Sequence, residues 1–186
     1  MIYAPALSAP VELYILRHGE AGKRLAAGSK DSERPLTVAG EQEVKEIAGA
    51  LVDLGIKLDF VAASPLARAR QTAEIVVKKL KVKKGKFELW NELKPEGSRL
   101  ALYSKLAQFK PGDSVMVVGH EPYLSSLVGD LMFDSQGSSS GGGSNGRIVL
   151  KKAGLARVSV TSLRPRARGE LRWLLTPRHM RRMMTT

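Results

Sequence analysis

The chain has 186 residues, room for one domain with a real core, and its 43% hydrophobic and 26% charged content is that of a globular rather than a disordered protein. It has no cysteine, which excludes disulfides, thiolate zinc sites and cysteine nucleophiles and makes the cytoplasm the expected location. Thirty Lys and Arg against eighteen Asp and Glu give a formal charge of +12, a surface that attracts anions without choosing among nucleic acid, membranes and phosphorylated substrates.

Residues 1–10 read as a flexible arm; the stretch lacks a basic n-region and a proper apolar h-region, so no signal peptide is expected. "VELYILR" (11–17) reads as a buried strand running straight into Arg17, His18 and Gly19. A polar stretch from Gly19 to Arg34 follows, carrying Lys23, Arg24 and Lys30 and expected to be a solvated loop at the rim of any site on that strand. "PLTVAGEQEVKEIAGALVDLG" (35–55) predicts a helix with Val44, Ile47, Ala48, Leu51 and Val52 on one apolar stripe and Gly55 as its stop.

"FVAAS" (60–64) is a short strand, and "PLARARQTAEIVVKKL" (65–80) is the next helix, with Ser64 at the N-cap, Pro65 at N1 and Ala69, Thr72, Ala73, Val76 and Leu80 facing inward. "KFELW" (86–90) reads as a strand and residues 98–109 as a helix. "SVMVVG" (114–119) is a continuous apolar run, as expected of a central strand covered on both faces. A helix over 122–132 puts Leu124, Leu127, Val128 and Leu131 on its apolar side. Residues 134–147, rich in Ser and Gly with one charge at each end and nothing apolar between, read as a flexible loop inside the domain rather than a boundary. "LARVSVT" (155–161) and "ELRWLLT" (170–176) are two further strands, and residues 179–186 read as a basic tail.

Strands alternating with helices predict an α/β fold: a three-layer α/β/α sandwich with a mostly parallel sheet, and one antiparallel side built from the last two strands. The single domain is expected to span residues 11–178. In such sheets ligands bind beyond the carboxyl ends of the strands. Three of those ends carry unusual chemistry: Arg17-His18-Gly19, the segment from Ser64 to Arg68, and Gly119-His120-Glu121-Pro122.

Taken singly, each piece has an ordinary explanation: a structural histidine, a surface arginine, a capping turn. Together they place two arginines and two histidines on one edge, an anion site. Arginine matches phosphate oxygens with a planar fork, and a neutral imidazole can attack phosphorus. Gly19 allows close backbone approach or a positive φ just after the histidine.

"LRHGEA", "PLTVAG", "SPLARARQTA" and "VVGHEPYLSSL" occur in this order and at suitable spacing. The set resembles the histidine phosphatase (phosphoglycerate mutase-like) superfamily, and the short chain ending in "GELRWLLTP" looks most like its SixA-type phosphohistidine phosphatase branch. The resemblance covers about residues 11 to 178. It implies His18 as the nucleophile that becomes a phosphohistidine, and Arg17, Arg68 and His120 as holders of the phosphoryl oxygens. Gly19 shapes the turn of the phosphate site, while Thr37 and Gly40 serve as scaffold. No metal or other cofactor is implied, and activity in EDTA is expected.

Many relatives acting on alcohol phosphates use a carboxylic acid to protonate the leaving oxygen. Glu92 is the candidate here, its competing reading a solvated loop carboxylate; Glu20 lies closer to His18 in sequence. The leading expectation is a phosphatase acting on phosphohistidine in a protein. A phosphatase of small phosphate esters or nucleotides with the same site is the close alternative. A mutase fits less well, for lack of segments to close its pocket. A noncatalytic phosphate- or nucleic-acid-binding protein is the alternative of another class. The basic residues are scattered and aromatics few, so no nucleic-acid partner is expected, nor a membrane, since no apolar run approaches the roughly 20 residues that span a bilayer. The sequence is silent on oligomeric state.

Overall fold

The computed structural model describes residues 9–22, 31–133 and 148–183. Most of the expected N-terminal arm, Lys23, Arg24 and Lys30, the Ser/Gly loop at 134–147 and the last three residues lie outside the described residues. In chain order come β1 (Val11–Arg17), α1 (Val38–Asp53), β2 (Phe60–Ala63), α2 (Ala67–Lys79), β3 (Phe87–Leu89), α3 (Arg99–Leu106) and β4 (Ser114–Gly119). Then follow α4 (Tyr123–Met132), β5 (Leu155–Ser162), β6 (Arg168–Leu175) and α5 (Pro177–Met183). Short 3-10 turns sit at Asp31–Glu33 and Asn91–Leu93.

The strands form one sheet in the order β3-β2-β4-β1-β5-β6. β1, β2, β3 and β4 are mutually parallel, while β5 runs antiparallel to β1 and β6 antiparallel to β5. This is the expected sandwich, and the physical reason is visible along the strands. Leu13, Ile15, Val115 and Val117 pack with α3 and α4 on one face. Tyr14, Leu16, Met116 and Val118 pack with α1, α2 and α5 on the other. An uninterrupted apolar run is what a strand needs when both of its faces are covered.

The helical stripes pack as read, except that Val52 is 45% exposed near the end of α1. Two boundaries are corrected. Helix α2 starts at Ala67 with Leu66 in the cap position, so Ser64 and Pro65 lie before the places expected of them, and the Ser64 hydroxyl, which accepts from Leu66 N–H at 3.4 Å, also meets His120. Residues 177–183, most of which read as basic tail, form α5, which packs on α1 through the fully buried Met180.

Candidate active site

The parallel register sets the site. Arg17 lies opposite Gly119 and Ala63 opposite Val118, so β1, β4 and β2 end at one level. Backbone bonds carry the alignment one residue further: His18 N–H donates to Gly119 O (3.1 Å) and Ser64 N–H to Val118 O (2.9 Å). His18, Ser64 and His120 therefore leave the sheet side by side, and Arg68 reaches them from the first turn of α2.

The turn after His18 is held from two sides. Gly19 N–H donates to Thr72 Oγ1 (3.1 Å), whose hydroxyl donates to Arg68 O (2.7 Å), tying the turn to α2. Toward α1, a Cβ on Gly19 would sit 2.7 Å from Val44 Cγ2 and 3.1 Å from Gly40 O. Close approach, rather than a positive φ, is the reason for glycine here. Thr37 caps α1 by accepting from Gly40 N–H (2.9 Å), and its own N–H donates to Glu20 O (2.9 Å). A Cβ on Gly40 would lie 2.1 Å from that same Glu20 oxygen. Thr37 and Gly40 thus hold the chain that leaves His18.

His18 is 8% exposed, His120 2% and Arg68 4%. His18 Nδ1 lies 2.7 Å from Gly19 O, a carbonyl that can only accept, so Nδ1 carries the proton. Arg68 Nε, a donor only, lies 3.2 Å from His18 Nε2, so that nitrogen presents its lone pair. Both contacts select one tautomer, with Nε2 free of its proton and facing Arg68. Burial pushes the His18 pKa down to about 4; the Gly19 carbonyl opposes this, and the charges of Arg68, Arg17 and Arg34 add to it. The ring is neutral at pH 7.

His120 stands with its ring centroid 5.1 Å from that of His18. Its Nε2 is 2.8 Å from Ser64 Oγ, while its buried Nδ1 has no hydrogen-bond partner. Burial, then His18 and Arg68, push its pKa down to about 3, with Asp31 pulling the other way. Arg17 donates through one terminal nitrogen to Leu150 O (2.8 Å), and its buried Nε likewise has no partner. A cluster that is buried, cationic and supplied with unused donors beside a lone-pair nitrogen is suited to a tetrahedral oxyanion.

A profile of the histidine phosphatase superfamily (branch 1) matches residues 13–95. The phosphohistidine phosphatase SixA of Escherichia coli (strain K12) is 34% identical over 65% of this chain and 74% of its own length. The chain belongs to the histidine phosphatase superfamily. A solved structure of the protein histidine phosphatase SixA complexed with tungstate superposes with a TM-score of 0.74 at 28% identity, over 90% of this chain and 97% of that one. A putative alpha-ribazole-5'-P phosphatase from E. coli K-12 superposes at 0.65 over 90% of this chain and 97% of its own, but at 17% identity that likeness shows the fold alone. This histidine phosphatase is accordingly a hydrolase of phosphorylated substrates.

Of the residues singled out in the sequence, the fold brings Arg68 against His18 and His120 beside it, with Arg17 and Gly19 flanking His18 in the chain. Glu92 follows β3 at the same edge of the sheet, and its carboxylate pairs with Lys105 Nζ at 3.0 Å. Burial raises the Glu92 pKa, but its own backbone N–H and Lys105 lower it further, and the balance lies below the ordinary carboxylate value. A carboxyl held ionised in this way is a poor proton donor.

The carboxylate that does reach the cluster is Asp31. It contacts the Arg68 guanidinium at 3.1 Å and Arg34 at 3.0 Å, and its main-chain oxygen accepts from Arg68 Nη1 at 2.9 Å. Sequence reasoning missed Asp31 because it sits in a polar stretch with no periodicity. It also missed Ser64 as the partner of His120; the serine beside a strand end looks like a cap until the register places the histidine next to it.

Proposed function

We propose that this enzyme removes the phosphoryl group from phosphohistidine carried by a protein, through a phosphohistidine intermediate on His18. The observation that carries the reading is the tautomer of His18: a buried, neutral ring with Nδ1–H on Gly19 O and the Nε2 lone pair facing Arg68. Nε2 attacks phosphorus, the bond from phosphorus to the substrate nitrogen breaks, and the substrate imidazole takes the departing electron pair. Water then attacks the phosphorus on His18, the new N–P bond breaks, and phosphate and free His18 return. The net change is phosphohistidine plus water to histidine plus phosphate.

Arg68 and Arg17 supply the charge, and Arg17 Nε and His120 Nδ1 the unpartnered nitrogens, to receive phosphoryl oxygens as charge gathers on them, while Arg68 turns donors over from His18 Nε2 and the Asp31 carboxylate. Two findings favour phosphohistidine over a phosphate ester. The likeness to SixA proteins covers most of the chain. The expected general acid, Glu92, is paired with Lys105, and an imidazole leaves far more readily than an alkoxide, so it needs less help from an acid. The second reading, hydrolysis of small phosphate esters by the same residues, rests on the shared fold of the putative alpha-ribazole-5'-P phosphatase.

The test is phosphate release in EDTA from a phosphohistidine-bearing protein and from a panel of small esters, with wild type and His18→Ala. Turnover greatest on phosphohistidine and lost in the variant is expected. Turnover on esters alone would keep the site and replace the substrate. Unchanged turnover by His18→Ala would overturn the nucleophile.

A further inference from the structure

A second cluster of charge adjoins the histidine site without belonging to it. The segment at Leu150–Gly154 is bonded to the end of β1 at three points. Leu150 O accepts from Arg17 Nη1 (2.8 Å), Gly154 O accepts from the Arg17 backbone N–H (3.0 Å), and Ala153 N–H donates to His18 O (3.1 Å). Lys151 and Lys152, both exposed, are thereby fixed at the rim beside the nucleophile. The chain leaving β6 brings Arg178 and Arg181 to the same place. Together with Arg17 these side chains line a cleft of about 590 Å³.

The acids within the cleft are already engaged. Glu20 pairs with Lys152 (3.0 Å) and Glu43 with Arg181 (3.3 Å). Among the described residues, Lys151 and Arg178 have no acidic partner. The cleft therefore holds two uncompensated cations on separate elements, within reach of the strand end that carries His18. Exposed lysine and arginine on long stems suit carboxylates spread over a surface; they do not form the buried fork that cages a second phosphate.

We propose that this cleft docks an acidic surface of the phosphorylated protein beside its phosphohistidine, so that charge outside the reacting group selects the substrate. The inference rests on the reading that the substrate is a protein phosphohistidine. Placed at a rim, such charges act mainly on encounter and specificity.

The experiment uses two fluorescent peptides centred on an unphosphorylated histidine, one flanked by three glutamates on each side and the other by glutamines. Their binding is read by anisotropy at low salt, on wild type and on Lys151→Glu/Arg178→Glu. Wild type is expected to hold the glutamate peptide about tenfold more tightly, a preference that shrinks as salt is raised. The double variant is expected to lose that preference with an unchanged unfolding temperature. Equal affinity of wild type for both peptides, or a preference that survives in the variant, would overturn the docking cleft. So would an oligonucleotide of equal charge that displaces the glutamate peptide at lower concentration. Turnover of the phosphorylated glutamine peptide, which makes no use of the cleft charges, separately tests the phosphohistidine reading.

Discussion

At the scale of single residues, the site is a contest for the Arg68 guanidinium. Its Nε holds the His18 lone pair at 3.2 Å, and one terminal nitrogen meets the Asp31 carboxylate at 3.1 Å. A phosphoryl group entering the cluster must take donors from both. Asp31 is thus a built-in competitor for the anion as well as a brace for the arginine, and the two roles predict opposite effects of its removal. Competition should win, because Arg68 is also held by its bond to the Asp31 main-chain oxygen (2.9 Å), which Asp31→Asn keeps. We expect Asp31→Asn to lower the inhibition constant of inorganic phosphate by about three- to tenfold, as for a charge-assisted contact released from its rival. Weaker inhibition would show that the carboxylate positions the arginine instead. The gathering of Arg17, His18, Arg68 and His120 was legible in the sequence because each lies at a strand end or in the first turn of the helix that follows one, where topology brings them together. Asp31 was not, because its place depends on how a loop without periodicity folds back.

At the scale of elements, the sequence was readable wherever burial imposed a period. β1 and β4 announce themselves by the apolar runs at Leu13–Leu16 and Val115–Val118, and α4 by Leu124, Leu127, Val128 and Leu131, buried at helical spacing. α5 was hidden because a short helix on a large domain needs little apolar surface: only Pro177 and Met180 are buried in it. The misplaced start of α2 has a different cause. A serine before a proline is a sound capping signal in isolation, and only the neighbouring strand reveals that Ser64 serves His120.

The contact between α1 and the turn after His18 offers the sharpest test of the scaffold. A methyl on Gly40 would fall 2.1 Å from the Glu20 carbonyl, backbone against backbone, with nothing flexible to yield. Gly40→Ala is expected to cost at least about 2 kcal/mol in urea unfolding and to lower activity with it. Gly129, inside α4, is the matched control: a Cβ there meets nothing within 4 Å. Gly129→Ala is expected to stabilise by about 0.5–1 kcal/mol and to leave turnover alone. Equal effects of the two substitutions would refute the close approach at Gly40.

At the scale of the whole molecule, the same burial that keeps His18 neutral makes the fold sensitive to acid. Two imidazoles are buried neutral at the carboxyl edge of the sheet, their pKa values pushed down to about 4 for His18 and about 3 for His120 by burial first and neighbouring charge second. In the unfolded chain both return to about 6.5. Between those values the unfolded state binds protons that the folded state refuses, so stability is whole above about pH 6.5 and falls as pH drops toward about 4. The window from about 6.5 to about 5 is diagnostic, because most carboxylates are still ionised there in either state. Each histidine should add a slope approaching about 1.4 kcal/mol per pH unit. Urea unfolding at steps through that window should show free energy declining with pH. His120→Gln and His18→Asn, each measured against its own value at pH 7.5, should each remove roughly half of the decline. A flat profile for wild type would mean that the imidazoles take up protons in the folded state, and with that a neutral His18 nucleophile at low pH would fall as well.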